Sequence, residues 1–298
     1  MGENVHFFLQ LLVTGLVIGS IYALVALGFV LIYKATSILN FAQGELLMLG
    51  AYVCLALVVD YRIPFVAAFF MTLVFSLLLG LLLERVILRP MIGEPIISII
   101  MLTIGLSSVL KAIVQATWGT STRVFPQIFP QEPLSFGGIV VSQVYVWSLG
   151  LAFLLLIVFS LFFKYSRSGI AMRATADDQQ AAQSMGISVK KVFAMSWAIA
   201  AIVSAIGGVL IGNINGINNS LSFIGLKVFP CVILGGLDSI IGAVIGGLIV
   251  GVLENLSGGY LDNFFGGGVK EVAPFVVLVI ILMIKPYGLF GKIDIERV

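Results

Sequence analysis

The sequence predicts an all-α, polytopic transmembrane helical bundle of about eight or nine spans. Three observations carry this: apolar content, the length of the apolar runs, and where the charges fall. Of 298 residues, 60% are hydrophobic and 10% charged, whereas about a quarter of a soluble domain is charged. The few charges cluster, leaving apolar stretches at 7–33, 41–59, 64–84, 95–117, 144–163, 191–212, 226–237, 239–256 and 272–285. A bilayer core about 30 Å thick takes ~20 apolar residues of helix, and most of these stretches meet that need. The seventh and ninth are short, and the seventh has the length of a re-entrant or broken helix. One transmembrane domain over residues 1–298 is the simplest organisation. The first stretch is too long for a signal-peptide core and has no Lys or Arg before Lys34. It is expected to remain as a helix.

Cytoplasmic loops hold an excess of Lys and Arg, which orients the bundle. With the N-terminus outside, Lys34, Arg85, Arg89, Lys164, Arg167, Arg173, Lys190, Lys191, Lys285, Lys292 and Arg297 all fall inside. Arg62, Arg123, Lys227 and Lys270 fall outside, and Lys111 lies within a span. The expected topology is therefore N-terminus out and C-terminus cytoplasmic, provided that the seventh stretch crosses or pairs with another partial segment.

Several chemistries have no material. Cys54 and Cys231 both sit in apolar runs, which argues against a disulfide framework or a metal knuckle. A single histidine, His6, leaves nothing for a histidine metal site or catalytic triad. No G-x-x-x-x-G-K-[ST] phosphate loop occurs, so ATP hydrolysis is not expected in this chain. The sequence thus predicts no bound cofactor, no metal, no enzyme activity and no nucleic-acid partner; its solvent is membrane lipid.

The connections differ in character. Residues 118–143, with Pro126, Pro130, Pro133 and Gly137–Gly138, suggest an external loop with turns, and residues 213–225 an external loop rich in asparagine. Glycines four apart let helix backbones approach in lipid. Gly15/Gly19, Gly208/Gly212, Gly242/Gly246 and Gly247/Gly251 match that spacing, for packing within the chain or against a second subunit. Gly235-Gly236-Leu-Asp-Ser239 interrupts the seventh and eighth stretches as a hinge or a substrate contact, with Asp238 and Ser239 able to cap the next helix.

The internal connection at 164–190 is the most informative. Asp177 and Asp178 suit the first turn of a short helix, where carboxylates meet the positive end of its dipole. Ala181, Ala182 and Met185 would give it a small apolar patch, and Gly186 can end it in a left-handed conformation. Such a smooth helix held between two spans fits either a groove on a partner or an ordinary surface loop.

The spacing Gln180-Ala181-Ala182-x-x-x-Gly186 resembles the coupling motif of ABC importer permeases, with Gln180 where glutamate is usual. The resemblance to the branched-chain amino-acid permease family then extends along nearly the whole chain. It covers Gly15–Tyr33, Leu39–Tyr52 (LNFAQGELLMLGAY), Glu84–Pro90 (ERVILRP), Thr103–Ser107, Ser166–Ile187, Lys227–Ser239 followed by Gly242–Gly247, and Lys285–Gly291 (KPYGLFG). It implies a membrane subunit in a bacterial inner membrane, working with a second permease subunit, two ATPase subunits and an external solute-binding protein. ATP and Mg would be bound in the ATPase subunits. Asp177, Asp178, Gln180, Ala181, Ala182, Met185 and Gly186 would couple this chain to them.

Three polar residues open the second stretch. Asn40 followed by Gln43 is a capping-box spacing, and Glu45 is an ionisable group inside a span, costing ~2.5–3.5 kcal/mol if charged at mid-bilayer. Asn40, Gln43 and Glu45 either stabilise a buried helix start or line a substrate path, where a helix N-terminus would face a substrate carboxylate. The family often has histidine at the position of Gln43, and an uncharged amide at that of Lys111. Lys111 and Glu254 are expected to snorkel outward or to pair with each other. For function, an importer permease for branched-chain or other hydrophobic amino acids comes first, and a urea or short-chain amide permease of the same family second. An ion-coupled transporter or channel is the alternative from a different class.

Overall fold

The structure, a computed structural model, describes residues 2–91, 94–126, 133–136 and 139–291. Pro130, Gly137, Gly138, Lys292 and Arg297, used above as turn or orientation signals, lie outside them. The helices are α1 (Gly2–Thr36), α2 (Gln43–Val59), α3 (Phe65–Leu83), α4 (Ile96–Trp118), α5 (Gln143–Tyr165), α6 (Arg167–Asp177), α7 (Gln179–Ser184), α8 (Val189–Asn215), α9 (Phe223–Gly235), α10 (Ile240–Phe265) and α11 (Val269–Ile284). Among the described residues, six helical stretches are long and apolar enough to cross a membrane: Asn4–Thr36, Phe65–Met91, Ile96–Trp118, Gln143–Tyr165, Val189–Asn215 and Ile240–Phe265. Gln43–Val59 and Asn219–Gly235 are shorter apolar helices. The all-α expectation holds for the bundle, and the strands described are a short loop hairpin. Leu134–Phe136 (β1) pairs antiparallel with Ile139–Val141 (β2), Leu134 opposite Val141, in the loop before α5. Val, Ile and Phe around a Gly-Gly pair are strand and turn residues, a signal overshadowed by the helical runs beside it.

The chain divides into two compact units. One comprises Met1–Ala26, Phe129–Phe153 and Lys227–Val298. Its seam is the contact of α1 with α10, where glycines bring backbones together: a methyl group on Gly15 would lie 2.8 Å from Val252 Cα, and one on Gly19 2.9 Å from Leu248 Cα. Lipid tails give no hydrophobic drive between helices, so close van der Waals packing of this kind holds them. Glu254 sits on the same helix, 2% exposed, and receives Lys227 Nζ and the Tyr22 hydroxyl, each at 2.8 Å. It pairs with Lys227 and not with Lys111, as the sequence had suggested. Lys227 lies on α9, whose first turns the charge map had put in an outer loop; the geometry brings its ammonium inward to a carboxylate otherwise unaffordable in lipid. Ser239 caps α10 by accepting from Gly242 N at 3.0 Å. The chain after α11 returns to the end of α9, where Leu289 N donates to Leu234 O at 2.8 Å and Phe290 N to Gly235 O at 3.0 Å. Those carbonyls would otherwise be orphans of a helix C-terminus.

The other unit comprises Leu27–Ile128 and Leu154–Leu226. Here α2 and α8 are the inner helices, with Gln43–Ala56 buried except Val53. In contrast α3, α4 and α5 expose runs of Phe, Leu, Ile and Val, as suits faces turned to lipid. α3 ends in a π-helical turn, Glu84–Leu88, and a 3₁₀ turn, Arg89–Met91. Glu84, 1% exposed, is held there by Arg89 through two hydrogen bonds of 3.1 and 2.9 Å.

Candidate functional site

The site of most interest is the start of α2, inside the second unit. α1 continues to Thr36, but the chain then doubles back, and a methyl group on Gly28 would strike the Gln43 side chain. Eight residues of helix separate Gly28 from Thr36, roughly 12 Å at 1.5 Å per residue. Gln43 Nε2 donates to Ser204 Oγ at 2.6 Å and to Ala200 O at 3.4 Å, both near the middle of α8. α2 therefore begins deep beside two long helices, which is why it is only 17 residues long.

Opposite this start lies the beginning of α9. The Asn219–Ser222 3₁₀ turn, capped by Asn218 Oδ1 accepting from Ser220 N at 3.0 Å, brings the Ser222 carbonyl onto Gly44. A methyl group on Gly225 would lie 2.5 Å from Gly44 Cα. No residue with a Cβ fits this crossing. The stretch expected as an asparagine-rich external loop is thus partly helical and reaches in to α2. The Asn219 amide oxygen is buried there without a hydrogen-bond partner.

The polar residues divide by role. Asn40 and Gln43 are fully buried, and Asn40 Nδ2 donates to Gln43 Oε1 at 3.0 Å while Asn40 Oδ1 accepts from Ala42 N at 3.0 Å. This is a local turn lock, not the capping box the spacing suggested: Ala42 is the cap residue of α2 and makes no side-chain cap bond. Glu45, 7% exposed in the first turn of α2, faces the Ser107 hydroxyl of α4. Thr103, on the same stripe of α4, receives Phe41 N at 3.4 Å. Sequence reading missed Ser204, Thr103 and Ser107; the signal available was the four-residue spacing of Thr103, Ser107 and Lys111, which puts them on one helix face. Among the described residues no group of three or more His, Cys, Asp or Glu could hold a metal ion.

The segment 164–190 forms two helices. Ser166 caps α6, accepting from Gly169 N at 2.9 Å. Asp178 caps α7, accepting from Gln180 N at 2.8 Å and Ala181 N at 2.9 Å, so it stands before the first turn, and Asp177 ends α6. Gly186 has φ +84°, the left-handed conformation expected of it. The apolar patch is split: Ala182 is 4% exposed and turned inward, whereas Met185 is 84% exposed and Gln180 and Ala181 face outward. Gln179 Nε2 ties the segment to the end of α1 by donating to Ala35 O at 3.3 Å. Beside it, a cavity of about 150 Å³ is lined by Thr36, Glu84, Arg89, Gln179 and Trp197 among others.

Comparison with known proteins gives this arrangement its context. The family described as branched-chain amino acid transport system, permease component, matches residues 11–284. The high-affinity branched-chain amino acid transport system permease protein LivH of Salmonella typhimurium is 34% identical over the full length of both chains. The corresponding BraD of Pseudomonas aeruginosa is 32% identical, covering 99% of each. A probable branched-chain amino acid transport permease protein LivH of Methanocaldococcus jannaschii is 29% identical over 93% of this chain and 90% of its own. Among solved structures, a chain of PsaBC from Streptococcus pneumoniae in complex with Fab is similar with a TM-score of 0.53 and 14% identity, covering 95% of this chain and 93% of that one, a likeness of fold. With six helices apolar enough to span among the described residues and relatives matched end to end, the chain is a multi-pass membrane protein and belongs to the permease family of branched-chain amino acid ABC transport systems.

Proposed function

We propose that this chain is a permease subunit that passes branched-chain or other hydrophobic amino acids across the bacterial inner membrane, driven by ATP hydrolysis in partner subunits. The observation that best supports this is the interrupted helix at Gln43, whose start is buried against the middle of α8 and crosses the beginning of α9. Discontinuous helices that begin inside the membrane are where transporters place their cargo. Asn40 and Gln43 hold the shape of that break, and Glu45 presents charge beside it. The whole chain acts as one permease domain of eight or nine spans, the six long helices being joined by α2, α9 and α11. Its N-terminus is outside and its C-terminus cytoplasmic. A second permease subunit, two ATPase subunits carrying ATP and Mg, and an external solute-binding protein complete the importer. α6 and α7 dock on the ATPase subunits. The experiment is uptake of L-leucine into proteoliposomes holding the assembled complex, with loaded binding protein outside. Uptake that requires ATP and both permease subunits is expected. Uptake of urea or acetamide in preference to leucine would move the chain to the amide branch, and ATP-independent uptake would remove it from importers altogether.

A further inference from the structure

The last carbonyls of a helix have no partner within it, and α1 ends at Thr36. The Ala35 carbonyl, one residue from that end, accepts from Gln179 Nε2 at 3.3 Å, a contact that spans 144 residues of sequence. Gln179 is the first residue of α7, and the turn that starts this helix is fixed by Gln180 N and Ala181 N donating to the Asp178 carboxylate. Beyond Ala35 the chain leads directly into the break before α2, and hydrogen bonds hold its shape. Ser37 N donates to Tyr33 O at 2.6 Å, and Ile38 N to Thr36 Oγ1 at 3.3 Å. Ser37 has φ +57°, a left-handed conformation that residues with a Cβ seldom adopt, and it persists because the contacts around it enforce it. Phe41 N donates to Thr103 Oγ1 at 3.4 Å, and the Asn40 side chain bonds both Ala42 N and the Gln43 amide. Residues 36–42 therefore form a stiff strap from the Gln179 contact to Gln43, whose amide is bound to Ser204 in α8. All of it lies within the unit of Leu27–Ile128 and Leu154–Leu226. On one side the strap borders the cavity of about 150 Å³, which Thr36 and Ile38 line together with Gln179, Glu84, Arg89 and Trp197. On that side close-packed side chains do not pin it.

We propose that Gln179 is a positioning residue for transport: through the Ala35 carbonyl it carries movement of α7 to the strap, and so to the start of α2. This rests on the permease reading above and deepens it, by naming the joint between the docking helices and the helix break. Coupling between distant places is carried by rigid elements and hydrogen-bond networks that can take two arrangements. The strap supplies the rigid element, and the cavity beside it supplies space for a second arrangement. The Gln179 side chain has to donate, because a carbonyl only accepts. A side chain of the same length with no N–H therefore breaks the joint while leaving α7 in place. A hydrogen bond of ordinary net strength shifts a two-state equilibrium by about fivefold, which sets the size of the effect.

The test uses the assembled importer in proteoliposomes, with loaded binding protein outside, and reads L-leucine carried per ATP hydrolysed. Gln179→Met and Gln179→Glu keep the side-chain length without an N–H donor. Each should lower that ratio about fivefold with the ATPase subunits still bound. Gln179→Lys restores a donor of the kind that bonds the last carbonyls of a helix, and should hold the ratio within about twofold of the parent. That order, donors against non-donors, separates the joint from a side chain that merely supports the fold, for which methionine and lysine would serve alike. Parental leucine-to-ATP ratios in both Gln179→Met and Gln179→Glu overturn the proposal, as does a Gln179→Lys ratio that falls as far as that of Gln179→Met. Loss of the ATPase subunits from Gln179→Met assigns this residue to docking and overturns it too. Each of these results leaves the importer standing, whereas absence of ATP-driven leucine uptake by the parent complex overturns the permease reading itself.

Discussion

At the scale of single residues, the best-defined charge in the membrane is Glu254. Both of its oxygens are engaged, one by Lys227 and one by Tyr22, and its side chain is 2% exposed against 20% for Lys227. The penalty for burying two ions is large, so such a pair adds little net stability; breaking it by removing one partner is another matter and costs about 3–5 kcal/mol. Glu254→Gln should therefore strongly lower the unfolding temperature of the detergent-purified protein, leaving the Lys227 ammonium without a counter-charge. Tyr22→Phe removes one hydrogen bond and should cost only ~1 kcal/mol. Lys227→Met combined with Glu254→Gln should recover part of the loss, a coupling that a double-mutant cycle measures. Additive losses would mean that the two charges stabilise the fold separately.

At the scale of elements, α6 and α7 give the clearest forecast. Met185 projects from the end of α7 with 84% of its surface exposed, while Ala182, one turn earlier, is buried in the chain. Methionine is a flexible apolar side chain suited to contact with a groove on another protein. Met185→Glu should leave membrane insertion and thermal stability unchanged but reduce copurification of the ATPase subunits. Gly186→Val should also reduce copurification, at some cost in thermal stability, because a β-branched residue strongly disfavours φ +84°. Ala182→Arg would act first on this chain's own packing, so it is the poorer probe. Copurification at parental levels in both Met185→Glu and Gly186→Val would leave α7 an ordinary surface helix. The helices themselves were legible because lipid demands long apolar runs, and Gly186 and Ser239 were legible because local geometry selects those residue types. What escaped reading depended on contacts distant in sequence. The partner of Glu254 lies on α9, the partner of Gln43 lies on α8, and an inward-turned Ala182 looks the same in sequence as an outward one.

At the scale of the molecule, topology and assembly order follow from the same helices. Cysteines introduced at Ser121 and Asn218 should react with impermeant thiol reagents from outside intact cells, and one at Asp178 should not, since the native Cys54 and Cys231 are buried and silent. External labelling of Asp178→Cys would invert the orientation. The glycine seam between α1 and α10 has a consequence for biosynthesis. Tyr22 and Glu254, which meet across that seam, are 232 residues apart, and at ~5–20 residues per second a ribosome takes on the order of 10–50 s to make the interval. Throughout that time α1 must wait in the bilayer with its glycine face against lipid tails. The unit built from Leu27–Ile128 and Leu154–Leu226 can close meanwhile, since all of its helices emerge earlier. The unit holding both ends of the chain closes last, so a nascent chain cut short before α10 carries an unmatched backbone groove that membrane quality control can recognise.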